Sequence, residues 1–328
     1  MNLSSAILAA IFVATPSLAC APAAGEGRFV HVGAEDALIV WDGPAQREHF
    51  IRRAMFDTNA RDFGFLVPTP GKPELGEADD GIFERLGQIT ASQRTEDKRV
   101  APAAVTVLEQ KIVAGYDAAV LEATDANALY DWLKAHGYRS DPELVAWTRP
   151  YVERGWKITA FRIAGDAPKV ATRALRMSFQ TDRPFFPYHE PATQRAGEAG
   201  GRDRLLRVYF LADARFGGAI GGREAWPGRT LFSRRIDDAQ RLELLKLAGL
   251  PILAGGGGRW LTAFEDRASP RPGTDEVFFG RSADQSPVER APVQGSSSRS
   301  NVTAGVGVVL AMLGLGYGAW RLARRSNG

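Results

Sequence analysis

Apolar residues alternate with small or opposite-facing ones through Asp62-Phe-Gly-Phe-Leu-Val67, where Phe63, Phe65 and Val67 share one parity. Successive side chains of a strand point to opposite faces, so this pattern predicts a strand with one face on a core. Pro68-Thr-Pro70 ends it, because proline cannot donate into a ladder. Similar short runs predict strands at Phe29–Val32, Ala37–Trp41, Glu48–Phe56, Val105–Leu108, Ala118–Leu121 and Trp156–Ile163. Four more are expected at Leu175–Gln180, Leu205–Leu211, Arg259–Phe264 and Val277–Phe279. Asp42-Gly-Pro-Ala-Gln46 carries turn chemistry, so the first strands read as a β-meander.

The period lengthens to that of a helix in three places. Asp125 stands as an N-cap before a segment whose Leu129, Trp132 and Leu133 share a face, and Gly137 closes it. Asp141-Pro142 opens a second helix, with proline at its tolerated first position, ending near Arg154-Gly155. Asp237 to Leu250 is a third, with Leu242, Leu244 and Leu245 inward, and Ile82–Leu86 reads as a shorter turn of helix. Strands interrupted by a few helices without a βαβ rhythm predict an α+β, antiparallel β-rich domain over 20–280.

The two ends follow different patterns. Residues 1–19 read as a secretory signal: an apolar run from Leu3 to Val13, then Pro16-Ser-Leu-Ala19 as a small-residue cleavage site before Cys20. Ala19 and Cys20 are the expected processing residues, and lipidation of Cys20 is the alternative to simple cleavage. Residues 281–301, rich in proline and serine, are expected to form a flexible stalk. Residues 302–320 carry no charge and, as a helix, match the ~30 Å hydrocarbon core of a bilayer. Arg321, Arg324 and Arg325 follow, placing the basic 321–328 tail in the cytoplasm and the body outside it. Gly307, Ala311, Gly314 and Gly318 line one face of this segment as a helix-packing stripe, for self-association or a partner helix.

Composition narrows the class. A net charge of +3 with interspersed signs argues against a dedicated nucleic-acid binder. A single cysteine excludes an intramolecular disulfide. The chemistry-bearing residues are scattered. Of four histidines, none has the spacing of a zinc helix, so no metal is expected. Glu48 and His49 adjoin in one strand and therefore face opposite ways, which bars direct acid–base contact between them. His189-Glu190, between prolines, reads as an exposed loop. The glycine clusters at 217–222 and 255–258 lack the continuation of a phosphate loop, read as flexible loops, and no cofactor is expected. Trp132, Trp147 and Trp156 fall on core positions rather than on a carbohydrate platform.

The order of motifs is itself informative. Glu48-His-Phe-Ile51, Phe63-Gly-Phe-Leu-Val-Pro-Thr-Pro70, Leu129 to Tyr138, Tyr151-Val-Glu-Arg-Gly-Trp156 and Pro184-Phe-Phe-Pro-Tyr188 together resemble bacterial domain-of-unknown-function family 2330 across most of 20–265. The resemblance implies an exported bacterial envelope protein and carries no activity or catalytic residue. The expected product is a single-pass inner-membrane protein whose outward domain binds or scaffolds an envelope partner. Two alternatives stand beside it: an envelope hydrolase using Glu48, His49 or His189 with distant residues, and a sorted protein whose C-terminal tail is cleaved.

Overall fold

Arg47–Thr58 (β3) shows how this sequence builds layers: Phe50, Ala54 and Phe56 are buried on one face, and Ile51 on the other. A strand apolar on both faces belongs between two covers, and the computed structural model provides them. It describes residues 30–60, 62–91, 116–138, 142–164, 169–191, 204–252 and 258–289, with the backbone of 23–24 and 112–113.

In chain order the strands are β1 (Ala23–Ala24), β2 (Val30–Asp42), β3, β4 (Asp62–Thr69) and β5 (Glu74–Glu77). Helix α1 (Ile82–Thr90) precedes β6 (Ile112–Val113) and β7 (Tyr116–Leu121). Helices α2 (Ala126–Ala135) and α3 (Pro142–Glu153) lead to β8 (Lys157–Ala164), β9 (Lys169–Ala171), β10 (Leu175–Gln180) and β11 (Phe185–Phe186). Then come β12 (Leu205–Ala212), β13 (Phe216–Ile220), β14 (Glu224–Ala225), β15 (Arg229–Arg235), α4 (Asp238–Leu247), β16 (Trp260–Asp266) and β17 (Val277–Arg281).

The strands form three sheets. The first has the order β1-β4-β8-β7-β6, and the third β11-β17-β13-β14. The largest runs β15-β16-β12-β2-β3-β10-β5, with β9 also on β3. Its neighbours are antiparallel except β12 and β2, which are parallel, so the α+β class holds with one mixed sheet. The expected meander stops after one hairpin: β2 and β3 pair through the Asp42–Gln46 turn, but β4 crosses to the first sheet and pairs with β8. Phe29–Val32 and Ala37–Trp41, read as two strands, are one strand from Val30 to Asp42 with an irregularity at Gly33.

The central core lies between the sheets, where Phe65 stacks on Phe161 at 4.7 Å and Phe210 meets Phe279 at 4.7 Å. Helices α2 and α3 cover the outer face of the first sheet through Leu129, Leu133, Trp147 and Tyr151. Helices α1 and α4 cover the outer face of the large sheet through Phe83, Leu86, Leu244 and Leu245. Asp237 caps α4 with a reciprocal box to Gln240. Leu242, expected inward, is exposed, because the helix turns Leu244 and Leu245 to the sheet instead. Trp132 is only half-buried and stacks on His136.

Two further expectations change. Gly217-Gly218 are not a loop but part of β13, where the missing Cβ of Gly218 admits the Trp226 and Val277 side chains. The folded unit also continues past 280. Gln285 binds Arg215 and Ser282, and Val288 exchanges backbone hydrogen bonds with Ser233, so 281–289 is not a free stalk. Among the described residues no helix is long and apolar enough to cross a membrane. The segment 302–320, with the signal region and the remainder of the stalk, lies outside them.

Candidate functional site

Glu48 and His49 point to opposite faces of β3, as their adjacency requires. Glu48 is fully buried on the core side, where Oε2 accepts a 2.9 Å hydrogen bond from the Phe185 amide. Burial raises its pKa well above the usual carboxylate range, only partly offset by that bond, which favours the neutral acid. His49 faces outward from the core and its Nδ1 lies 2.8 Å from Ser178 Oγ, its cross-strand neighbour. Burial, with Arg47 and Arg176 nearby, pushes the imidazole down to about 4, which keeps it neutral. The partner Ser178 gave no signal in the sequence, because register decides it.

His189 is not in an exposed loop. Its carbonyl accepts from Trp147 Nε1 at 3.0 Å, and its Nδ1 lies 2.9 Å from the Tyr151 hydroxyl. That hydroxyl donates to Glu276 Oε1 at 2.5 Å, while Oε2 accepts from the Tyr188 and His189 amides at 2.5 and 3.1 Å. Burial pushes Glu276 up to about 7, against the opposing pull of these bonds. The cluster fastens α3 to the 184–191 strap and to the start of β17. Glu190 is buried as well, 2.8 Å from Arg204 and 3.6 Å from Arg271.

Arg271 continues to Glu35, at 3.7 Å, and Glu35 Oε1 accepts from Arg52 Nη2 at 2.8 Å and Nε at 3.1 Å. Arg52 also lies over the Phe65 ring at 4.6 Å. Asp266 accepts from Tyr188 Oη and Trp226 Nε1 beside this group. Three arginines thus face three carboxylates in the core, and the charges balance. Sequence reading passed over this group, since its members come from five separate stretches.

The outer face of the large sheet carries a different arrangement. In register across five adjacent strands stand Arg229, Glu265, Arg207, Asp36 and Arg53, so charge alternates in sign from strand to strand. Asp36 holds both of its neighbours, with Oδ2 3.0 Å from Arg53 Nη2 and Oδ1 3.4 Å from Arg207 Nη1. Arg53 also donates to the Asp80 carbonyl and lies over the Phe83 ring at 5.0 Å. Between this row and α1 opens a cleft of about 510 Å³, lined on the helix side by Phe83, Glu84 and Gly87 and on the sheet side by Asp36, Arg207 and Tyr209. A Cβ built at Gly87 would meet nothing within 4 Å, so the helix leaves that wall open. A second cleft of about 390 Å³ lies at the β2–β3 turn beside Trp41 and Phe216.

None of Glu48, His49 and His189 lines either cleft. Ala19, Cys20, Gly307, Ala311, Gly314 and Gly318 lie outside the described residues. Among the described residues no three His, Cys, Asp or Glu side chains are grouped to hold a metal ion.

Two solved structures of baculovirus P35 cover most of this fold loosely. One, described as baculovirus P35, covers 80% of this chain and 96% of its own, at 6% identity and a TM-score of 0.39. The form described as mutated and after caspase cleavage covers 78% and 98%, at 7% identity and a TM-score of 0.30. Likeness at this level carries no functional argument. No curated protein matches. The model of the family DUF2330, described as an uncharacterized protein conserved in bacteria, matches residues 16–276, and the chain belongs to that family.

Proposed function

We propose that this protein is a binding module of the bacterial cell envelope. In this reading it is exported, held at the inner membrane by 302–320, and seats its partner in the cleft between α1 and the large sheet. The observation that carries the reading is the cleft itself. It joins an aromatic surface from Phe83 and Tyr209 to oriented charges on Asp36, Arg53 and Arg207, and its volume of about 510 Å³ falls in the range of ligand sites. A hydrolytic reading has weaker support: the acid and histidines that would serve it are held by hydrogen bonds within the fold and do not border the cleft.

A plug tests the assignment. Gly87→Trp projects a ring into the open wall, where the added Cβ meets nothing, so the fold should tolerate it. Full-length protein would be used to capture partners from envelope extract. A partner held by the wild type and lost with the plug supports the reading; undiminished capture would overturn it. The tether is tested separately by fractionation and by protease access to a tag on each end. A tag after 320 that is reached from outside the cell would refute the orientation.

A further inference from the structure

We infer that the cleft binds a zwitterionic amino compound, a free amino acid or a short peptide with both ends charged; this rests on the cleft being the binding seat. The argument begins with what each charge has left to give. Asp36 is spent, since both of its oxygens are held by arginines. Arg53 is largely spent on Asp36, the Asp80 carbonyl and the Phe83 ring. Arg207 is not. It makes one long 3.4 Å contact to Asp36, its side chain is 44% exposed, and its other N–H groups have no partner among the described residues. A guanidinium with donors to spare in a half-enclosed cleft fits a planar carboxylate.

The opposite wall offers the complement. Glu84 on α1 lines the same cleft, is exposed, and has no ion pair or hydrogen bond among the described residues. Its carboxylate suits an ammonium group. The four charges of the lining, Arg53, Arg207, Asp36 and Glu84, sum to zero, so the cleft as a whole favours a ligand of no net charge. The same lining includes Phe83 and Tyr209, an apolar surface for a side chain. A ligand with a carboxylate at one end, an ammonium at the other and an apolar group between them meets all three.

The probes are the dipeptide alanyl-phenylalanine, its N-acetyl form and its C-terminal amide, titrated against detergent-solubilised full-length protein by calorimetry. The free dipeptide is expected to bind at least about tenfold more tightly than either capped form, the margin of one charge-assisted contact. Arg207→Gln should erase the preference over the amide and leave the preference over the N-acetyl form. Glu84→Gln should do the reverse. Equal affinity for all three probes overturns the inference. So does no binding of any probe by a protein whose envelope partner is still displaced by Gly87→Trp, and that outcome leaves the cleft standing as a seat for other chemistry. If the probes fail and the plug also has no effect, the binding-seat reading falls with it.

Discussion

Two carboxylate–arginine pairs stand one residue apart on the same two strands. Glu35 binds Arg52 and Asp36 binds Arg53, but the pleat sends the first pair into the core and the second to the outer face. The side chains of the inner pair are 1% exposed, while those of the outer pair are 16% and 34%. Identical chemistry therefore does two jobs. Inside, each charge has lost its water and must keep its partner, so the pair is fixed and specifies how the 184–191 and 267–276 straps dock. Outside, water screens the pair, its geometry is loosely determined, and the neighbouring Arg207 keeps donors open to a ligand.

The largest expected effect breaks the inner pair. Glu35→Ala leaves Arg52 buried without its carboxylate and removes one of the two acids beside Arg271, so a loss of about 3–5 kcal/mol is expected from urea unfolding. Replacing both partners, Glu35→Leu with Arg52→Leu, should cost less than the single change, because no orphan charge remains from the pair. A loss below about 1 kcal/mol for Glu35→Ala would mean that burial does not separate the pairs.

Glu276 shows a third way to bury an acid, by keeping its proton. Its folded value of about 7 lies above the ordinary 4.5, so the folded state holds the proton more tightly than the unfolded state. Stability from this group is complete below about 4.5 and declines as pH rises to about 7, by about 3 kcal/mol in all. His49 works with the opposite sign, since its depressed value makes stability rise between about 4 and 6.5. The measurement is therefore the difference between wild type and Glu276→Gln across that range. Glutamine keeps an acceptor for the Tyr188 and His189 amides, so the difference should fall with pH and then level off. A difference that stays flat would show Glu276 titrating alike in both states.

How far the sequence discloses these regions follows from the range of the interactions. Alternation through Phe63, Phe65 and Val67, the Asp125 cap and the left-handed glycine at 137 are local, and they lie in the structure where the pattern puts them. Register is not local. Nothing near His49 names Ser178, and nothing near Asp36 announces that Arg53 and Arg207 will flank it on different strands. His189-Glu190 misleads for the same reason: prolines suggest a loop, but Tyr151, Arg204 and the pair Arg271 and Glu276 arrive from three other stretches to hold it in the fold. Segments rich in proline also read as stalk at 281–289, where hydrogen bonds to Arg215 and Ser233 hold the chain.

A smaller effect sharpens the outer side of the comparison. Gly87 lies within α1 at the open wall of the cleft, and an added methyl would touch nothing. Gly87→Ala should raise stability by about 0.5–1 kcal/mol, through helix propensity and a less disordered unfolded chain. Thermal unfolding would register it, and a destabilised variant would mean that the helix needs the glycine for packing.

The smallest change bears most directly on the contrast between faces. Asp36→Asn removes a charge from between two arginines, yet each of them keeps water, and Arg53 retains the Asp80 carbonyl and the Phe83 ring. Asparagine also leaves one oxygen to accept from a guanidinium. The expected cost is therefore below about 1 kcal/mol, several times less than for Glu35 at the next position. Salt should narrow the gap between wild type and the Asp36 variant further, since exposed pairs weaken with ionic strength and buried ones do so much less. A cost near that of Glu35→Ala, insensitive to salt, would mean that the alternating row is a structural staple like the inner network. The open donors of Arg207 would then belong to the fold and not to a ligand.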